Sequence, residues 1–349
     1  MNREDIKQIF RDTVEAPLDP RQLKQDVAAL KAAGSKARSD DRIRLAAQLA
    51  HAAFLAPDHI GQVYDALSET WLGKSIEAKA ISDLERSAEP SPEHLWSSFW
   101  SVVEDAAGGK LDALSITERT AALGGAMPEG FVTRVAAMSH TYPGVSEAAQ
   151  SELPEKIDLA TLAAQPQGSI GAEFHQLIVE NKFDLEVLDR SAIGLAALPA
   201  PLGYLNTRIL QAHDLWHITA GYETTSLHEI ALSGFQMAQF GHNYSAQFLS
   251  IVAAVAALSP ASGYKILMDT VTTSWVHGRE TCPMMLIPWE SVWHKSADEI
   301  RAEFQIQTYR RPYRADLIER TAPIAALLRK ISNLTNRFRR TQSSQPLQS

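Results

Sequence analysis

The segment HDLWHITAGYETTSLHE, residues 213–229, holds the side chains of this sequence that are best suited to chemistry. His213 and His217 lie four positions apart, and Asp214 follows the first histidine directly. Eleven residues then separate His217 from Glu229. Two imidazoles with one or two carboxylates are the ligand mixture of zinc hydrolases and of non-haem iron sites. The sequence therefore predicts one divalent metal ion bound by His213, Asp214, His217 and Glu229, and these ligand types leave zinc, iron and magnesium open.

Two consecutive helices must position these side chains. A helix is predicted from Pro201 to Ala220 with Gly221 as its C-cap. At about 100° per residue, this helix places His213 and His217 on one face, one turn apart. The following residues, 223–229, predict a turn into a second helix, which carries the glutamate and can fold back against the first.

Helical spacing dominates the rest of the chain. Leu23, Val27 and Leu30 follow the i, i+3 and i+4 steps of an amphipathic helix, whereas sustained apolar–polar alternation is scarce. Prolines beside Gly, Asp or Ser separate the periodic segments, as expected for helices joined by short turns. These patterns predict an all-α fold, with residues 34–41 as a polar linker after a single N-terminal helix.

Composition narrows the class of protein. The 349 residues carry a net charge of −8, which argues against a nucleic-acid-binding face. The single cysteine, Cys282, excludes an intrachain disulfide framework. The start is charged and lacks the apolar core of a secretory signal, and the longest apolar stretch, Phe248–Leu258, is too short for a bilayer span of about 20 residues. We expect a cytoplasmic protein.

Three protein families share parts of the residue pattern at positions 213–229. A zincin needs Glu where this chain has Asp214. A phosphohydrolase of the HD type joins His and Asp in one dipeptide and needs a further His and Asp, for which His175 and Asp298 are available. The chain resembles the Coq4 family of ubiquinone biosynthesis proteins most closely, because His213, Asp214, His217 and Glu229 reproduce its HDxxH-x11-E signature.

The resemblance extends over roughly residues 168–307. GSIGAEFHQLIVENKF, from Gly168, is similar to a helix start that precedes the signature, and EIALSGFQMAQFG, from Glu229, is similar to the family's second helix. Farther on, the family's C-terminal segment is matched by Trp275, Gly278, Trp289, Glu290, Trp293, Glu299, Arg301 and Ile306. Two positions depart from the family pattern. His228 replaces a glycine and is expected to face solvent, and Leu210 replaces a basic residue, for which Arg208 can substitute.

The resemblance implies action on a polyprenylated benzoquinone precursor. The implied reaction is removal of the C1 carboxyl group of a polyprenyl hydroxybenzoate, with hydroxylation of C1 in the oxidative version. The two histidines and Glu229 would ligate the metal, while Asp214 would complete the ligand shell or act catalytically by moving a proton to or from the ring. The family is also linked to organising the other ubiquinone biosynthesis enzymes, and it suggests a homodimer. A non-catalytic prenyl-lipid-binding scaffold is therefore the main alternative, followed by the HD-type phosphohydrolase.

Four further residues are candidates for binding the substrate. Arg208 and Arg279 can each bind an anionic head group. An ion pair of Arg279 with Glu280 or Glu290 is the competing interpretation. Tyr244 and Phe248, with the apolar run 284–287, can line a groove for the isoprenoid tail, although such runs usually form ordinary core.

We expect three regions along the chain. Residues 1–160 form a helical N-terminal region to which no function is assigned, and residues 161–310 form a Coq4-like domain with the metal and lipid site. Residues 311–349 form a basic amphipathic helix followed by a disordered tail. Docking of this helix on the core is favoured, and peripheral contact with the cytoplasmic face of the inner membrane is the alternative.

Overall fold

The computed structural model describes residues 2–76, 91–111, 113–181 and 194–321, and within these ranges it contains helices and no strand. The prediction of an all-α fold is confirmed. The α-helices within these ranges are α1 (Arg3–Val14), α2 (Pro20–Ala33), α3 (Ser39–Phe54), α4 (Ile60–Leu72), α5 (Leu95–Ala107), α6 (Ala113–Gly125), α7 (Glu129–Ser139), α8 (Val145–Ala148), α9 (Leu159–Ala163), α10 (Ile170–Asn181), α11 (Leu202–Ala220), α12 (Ser226–Phe240), α13 (Asn243–Ala257), α14 (Ala261–Glu280), α15 (Trp289–Val292) and α16 (Ala297–Phe304).

Helix α3 lies at the centre of the N-terminal region and is buried along most of its length. It packs against α1, α2 and α13, and its many alanines leave room for these neighbours to approach closely. The prediction of a single helix before residue 34 is wrong, because α1 and α2 both precede it. The predicted linker is a short 3₁₀ turn, Gly34–Lys36, that leads into the first turn of α3.

Among the described helices, α12 and α14 form the most extensive pair. Their close approach depends on glycine. A Cβ atom on Gly278 would lie 2.7 Å from the Ala238 side chain, and one on Gly234 would lie 2.4 Å from the Ser274 hydroxyl oxygen. Helix α12, which carries Glu229, is therefore fixed by its packing on α14 and on α13.

The N-terminal helices and the later helices share one hydrophobic cluster, which extends from Phe10 to Tyr309. Asp65 on α4 adds a polar connection. Its carboxylate accepts hydrogen bonds from the indole of Trp275 at 2.7 Å and from the guanidinium of Arg279 at 3.0 Å. Helix α4 is thereby tied to α14.

Helix α11 begins after Pro201 and ends at Gly221, whose φ of 78° is the left-handed conformation that glycine adopts without strain. The sequence-based bounds of this helix are confirmed. Its last carbonyls are capped from far along the chain, since Arg301 on α16 donates to Ile218 O at 2.7 Å and to Thr219 O at 3.0 Å. A guanidinium at a helix C-terminus satisfies carbonyls that have no partner within the helix.

Two sequence-based predictions fall partly or wholly outside the described ranges. The predicted basic amphipathic helix lies mostly beyond residue 321, and the predicted disordered tail lies wholly beyond it. Across the described ranges, no helix is both long and apolar enough to cross a bilayer.

Candidate metal centre

The structure brings His213, His217 and Glu229 together at the point where α11 faces the start of α12. The Nε2 atoms of the two histidines are 3.3 Å apart. The Glu229 carboxylate lies 3.3 Å from His213 Nε2 and 3.2 Å from His217 Nε2. Two imidazole nitrogens from α11 and the two oxygens of one carboxylate from α12 therefore lie close together.

His217 is held in the orientation that a metal ligand requires. Its ring is almost fully buried, with 2% of the side chain exposed, and Nδ1 donates to the carbonyl oxygen of Tyr222 at 3.1 Å. Nδ1 therefore carries a proton, and Nε2 is the ring nitrogen that faces Glu229 and His213. A backbone carbonyl on the second nitrogen of a ligating histidine is a common arrangement in metal sites.

His213 is held differently, by a side chain on α12. Its Nδ1 accepts a hydrogen bond from the amide nitrogen of Gln236 at 2.8 Å. The oxygen of this amide accepts a hydrogen bond from the hydroxyl of Ser245 at 3.3 Å. In this arrangement a neutral His213 carries its proton on Nε2, which faces Glu229.

Electrostatics couple the imidazoles to the carboxylate. Burial raises the pKa of Glu229, but hydrogen bonds from His213 and His217 outweigh burial and hold this pKa well below its usual range. Burial alone would lower the pKa of His213, whereas the hydrogen bond with Glu229 and the charges of Glu229 and Asp214 raise it. The carboxylate therefore stays charged beside two imidazoles.

Asp214 lies next to the same histidine pair. One carboxylate oxygen is within 4.8 Å of a ring nitrogen of both His213 and His217. Burial raises the pKa of Asp214 and so does the charge of Glu229, while the two histidines oppose that rise. Asp214 is thus the carboxylate of the site that takes up a proton more readily.

The donor set fits a divalent cation. Ligand atoms about 2.0–2.1 Å from a tetrahedral ion lie about 3.3 Å from one another. The two histidine Nε2 atoms are 3.3 Å apart, and each lies 3.2–3.3 Å from one oxygen of the Glu229 carboxylate. The site also retains access to solvent, because 33% of the His213 side chain and 44% of the Glu229 side chain are exposed. These residues could therefore hold a metal with positions left for a further ligand.

Arg208, predicted as an anion-binding residue, is paired within the protein. Its guanidinium makes a bidentate contact with Glu290, at 2.5 and 2.9 Å. Burial lowers the pKa of Arg208, and the hydrogen bond and charge of Glu290 outweigh burial and raise it. This side chain joins α11 to α15 and is not one of the groups that converge with His213.

Arg279 is also paired, but with neither of the partners considered from the sequence. Both contacts, at 3.0 Å, go to Asp65, and the guanidinium lies 4.6 Å from the centre of the Trp275 ring. The prediction of Glu280 or Glu290 as its partner is wrong, because the packing of α4 on α14 brings a carboxylate from the N-terminal region. Arg279 is buried in this contact.

Tyr244 and Phe248 lie half-buried on α13 with their rings stacked at 6.5 Å. The His242 ring is 5.7 Å from that of Tyr244, and Nδ1 of His242 contacts Ser245 Oγ at 2.9 Å. The two predicted tail-binding residues therefore lie on α13, with Tyr244 beside His242. The accompanying apolar run, 284–287, is buried except for Leu286.

His228 is not on the surface, so the expectation that it faces solvent is wrong. It is 1% exposed, and its Nδ1 accepts a hydrogen bond from the backbone N–H of Glu223 at 2.7 Å. The ring packs edge-on against Tyr222 and Tyr309. His228 therefore lies on the buried face of α12 that contacts aromatic rings, whereas the next residue, Glu229, lies on the face toward His213 and His217.

The two residues proposed for an HD-type site do not join the cluster. Within the described ranges, the group suited to a metal consists of His213, Asp214 and His217, with Glu229 in contact with both histidines. Asp298 is 91% exposed and pairs with Arg301, and His175 lies on α10.

Sequence reasoning missed Gln236 and Tyr222, the groups that hold the second nitrogens of the two histidines. A signal for Gln236 was present. It lies seven positions after Glu229, and therefore two helical turns along the same face. Tyr222 acts through its backbone carbonyl, which no side-chain pattern could have indicated.

Comparison with known proteins gives matches over the later part of the chain. The sequence model of the family "Coenzyme Q (ubiquinone) biosynthesis protein Coq4" matches residues 153–312, a range that contains the resemblance expected over 168–307. The Drosophila ananassae "Ubiquinone biosynthesis protein COQ4 homolog, mitochondrial" is 27% identical over 151 residues, which cover 43% of this chain and 54% of the relative. The Danio rerio protein of the same name is 28% identical over 158 residues, which also cover 43% of this chain and 54% of the relative. The chain spans about half the length of the curated relatives it matches.

A solved structure is also similar. The crystal structure of a candidate ubiquinone biosynthesis protein from Nostoc punctiforme aligns with a TM-score of 0.48 and 20% sequence identity. The alignment covers 62% of this chain and 98% of that chain.

Proposed function

We propose that this chain, whose residues 153–312 match the sequence model of the Coq4 family of ubiquinone biosynthesis proteins, is a metal-dependent decarboxylase in ubiquinone biosynthesis. The substrate would be a polyprenyl hydroxybenzoate. The observation that carries the proposal is the convergence of His213, His217 and Glu229 within 3.2–3.3 Å of one another.

Decarboxylation requires a counter-charge and a proton. The bond between the ring and the carboxyl group breaks, carbon dioxide leaves, and the electron pair left on C1 takes up a proton. A divalent ion held by His213, His217 and Glu229 would supply a Lewis acid for the carboxylate and the neighbouring phenol oxygen. The partial exposure of His213 and Glu229 gives a substrate access to this point.

Asp214 is the candidate proton donor. Its carboxylate lies beside the histidine pair, and burial raises its pKa. A raised pKa keeps a larger fraction of a carboxyl group protonated near neutral pH, as general acid catalysis requires. The matching test is Asp214→Asn, which keeps the size of the side chain and removes the proton that it can transfer.

The isoprenoid tail would follow α13. The stacked rings of Tyr244 and Phe248 offer an apolar wall, and His242 connects this wall to the candidate metal centre through its contacts with Tyr244 and Ser245. A substrate with such a tail resides in a membrane. We therefore also propose peripheral membrane contact, and a homodimer and association with other ubiquinone biosynthesis enzymes stay predictions.

The test uses the purified full-length chain and a short-tailed polyprenyl hydroxybenzoate labelled with ¹³C in its carboxyl group. We expect release of ¹³CO₂ by the metal-loaded protein, loss of release after chelation and in His217→Ala, and unchanged release in His175→Ala as a control outside the cluster. Product mass then separates simple decarboxylation from the version that adds a hydroxyl group with oxygen. Release that persists equally in His217→Ala and after chelation contradicts the proposal.

One observation favours a second candidate, the non-catalytic prenyl-lipid scaffold. Both arginines that were predicted to bind an anionic head group are neutralised by protein carboxylates, Arg208 by Glu290 and Arg279 by Asp65. A scaffold needs no head-group arginine. It would bind the prenylated precursor with the same affinity in the wild type and in His217→Ala, and it would release no ¹³CO₂ by itself.

A further inference from the structure

We infer that Gln236 is a positioning residue that determines which ring nitrogen of His213 is free to bind the metal. The inference rests on the proposed metal-dependent function and concerns the same site. It assigns a role to a hydrogen-bonded chain that runs from His213 through Gln236 and Ser245 to His242.

The inference starts from the difference between the two histidines. A backbone carbonyl can only accept a hydrogen bond, so the contact with Tyr222 O fixes the proton of His217 on Nδ1. An amide side chain presents an acceptor on one side and a donor on the other. Gln236 can therefore hold His213 with its proton on either nitrogen, depending on which end of the amide faces Nδ1.

In the structure, Gln236 turns its amide nitrogen toward His213, which is the orientation that favours the metal-free form. The Gln236 amide nitrogen donates to Nδ1 at 2.8 Å, which leaves the His213 proton on Nε2, facing Glu229 Oε2 at 3.3 Å. Metal binding at Nε2 requires that this proton leave Nε2. A half-turn of the amide would present its oxygen to Nδ1–H, and the lone pair of Nε2 would then face the ion.

The neighbours of Gln236 tolerate both orientations. The Ser245 hydroxyl, 3.3 Å from the amide oxygen, can donate to an oxygen or accept from an N–H group. His242 Nδ1, 2.9 Å from the same hydroxyl, completes the chain. Burial and the charge of His213 lower the pKa of His242 to about 3, so its ring is neutral and its Nδ1 can serve as donor or acceptor. Every member of the chain can reverse its direction without losing its partner.

The first experiment measures metal affinity in matched variants of the full-length protein. Zn²⁺ binding is followed by competition with a chelator, and Co²⁺ binding by its visible absorption. We expect Gln236→Leu to weaken binding about 10–100-fold, the usual effect of removing a group that supports a ligand. Gln236→Glu offers only acceptor oxygens to Nδ1–H, and we expect it to bind at least as tightly as the wild type.

Gln239→Leu serves as the control. Gln239 is buried on the same helix and donates to the carbonyl oxygens of Gly278 and Thr281, without contact to His213. This substitution removes hydrogen bonds in the core, so we expect a lower melting temperature and an unchanged metal affinity. A Gln236→Leu affinity within twofold of the wild type, or a Gln236→Glu affinity as low as that of Gln236→Leu, overturns the inference.

A second measurement does not require a bound metal. ¹⁵N-labelled histidine in the metal-free protein at pH 8.5 reports which ring nitrogen of neutral His213 carries the proton. We expect Nε2–H in the wild type and Nδ1–H in Gln236→Glu, and identical signals in the two proteins contradict the inference. A wild-type protein that binds no divalent ion removes the proposed function, whereas equal binding by wild type and Gln236→Leu removes only the role of Gln236.

Discussion

Two helix pairs in this molecule meet in opposite ways. Helices α3 and α13 pack closely, and both present small buried alanines at their contact-forming faces. Helices α11 and α12 contact each other only briefly, and polar side chains converge between them. The first pair supplies apolar burial, which stabilises the fold. The second supplies a gap in which two imidazoles and a carboxylate face one another.

Helices α11 and α12 are positioned by contacts with other helices rather than with each other. Helix α12 packs on α14 and α13, while α11 contacts α10 and α16 and is capped by Arg301. The side chains of the candidate metal ligands therefore do not need to stabilise the contact between their own helices. Metal affinity and the free energy of unfolding should thus respond to different substitutions.

The largest expected effect is on metal affinity. His217→Ala removes a ligand, so Zn²⁺ affinity should fall by more than the roughly 10–100-fold caused by the loss of a supporting group. The metal-free protein should stay folded by circular dichroism, because α11 is held by other helices. His140→Ala is a suitable control, because the His140 ring is exposed and contacts Ser146 Oγ at 2.9 Å. Retained affinity in His217→Ala would remove this histidine from the ligand set.

Among the expected effects on stability, breaking the ion pair between Asp65 on α4 and Arg279 on α14 should be the largest. Asp65→Ala leaves the buried Arg279 without its partner, and breaking such a pair typically costs about 3 kcal/mol or more. Denaturant unfolding of the metal-free protein measures this loss. The metal affinity of the folded variant should match that of the wild type, and a parallel loss of affinity would show that the two regions are coupled.

Overpacking of α3 should have a similar but smaller effect. Ala50 is fully buried, and extra methylenes in a tight core cost about 1–3 kcal/mol. We therefore expect Ala50→Leu to lower the urea midpoint and to leave Zn²⁺ affinity unchanged. Lys36→Leu, at an exposed position in the preceding turn, controls for added apolar volume.

The smallest expected effect is a pH dependence of the stability, which comes from His51 on α3. Burial lowers the pKa of His51, although the hydrogen bond with Val14 O opposes this, so the unfolded state binds a proton at higher pH than the folded state. The stability contribution is fully present above about pH 6.5, the ordinary histidine value, and declines as the pH falls below it. Unfolding of the metal-free wild type and of His51→Gln at pH 7.5 and 5.5 should show a smaller decline in the variant. An equal decline would assign the pH dependence to other groups.

The helices and the histidine pair were predictable because the helical period links residues that are close in sequence. His213 and His217 share a face whatever surrounds them, and Gly221 ends their helix by its own conformational freedom. The convergence with Glu229 followed from one short turn. These features depend on local sequence alone.

The partners of the arginines were not predictable for the opposite reason. Asp65 is 214 positions from Arg279, and only the packing of α4 on α14 brings them together. His228 shows a further limit. It neighbours the half-exposed Glu229 in sequence, yet it lies on the buried face of α12, next to the Tyr222 and Tyr309 rings.

The position of Arg301 has a consequence for how the protein is made. This guanidinium caps the end of α11 from 82 and 83 residues farther along the chain. A ribosome therefore synthesises every candidate ligand well before the side chain that fixes the ligand helix. In a nascent chain that has not yet reached Arg301, the last carbonyl groups of α11 lack this cap.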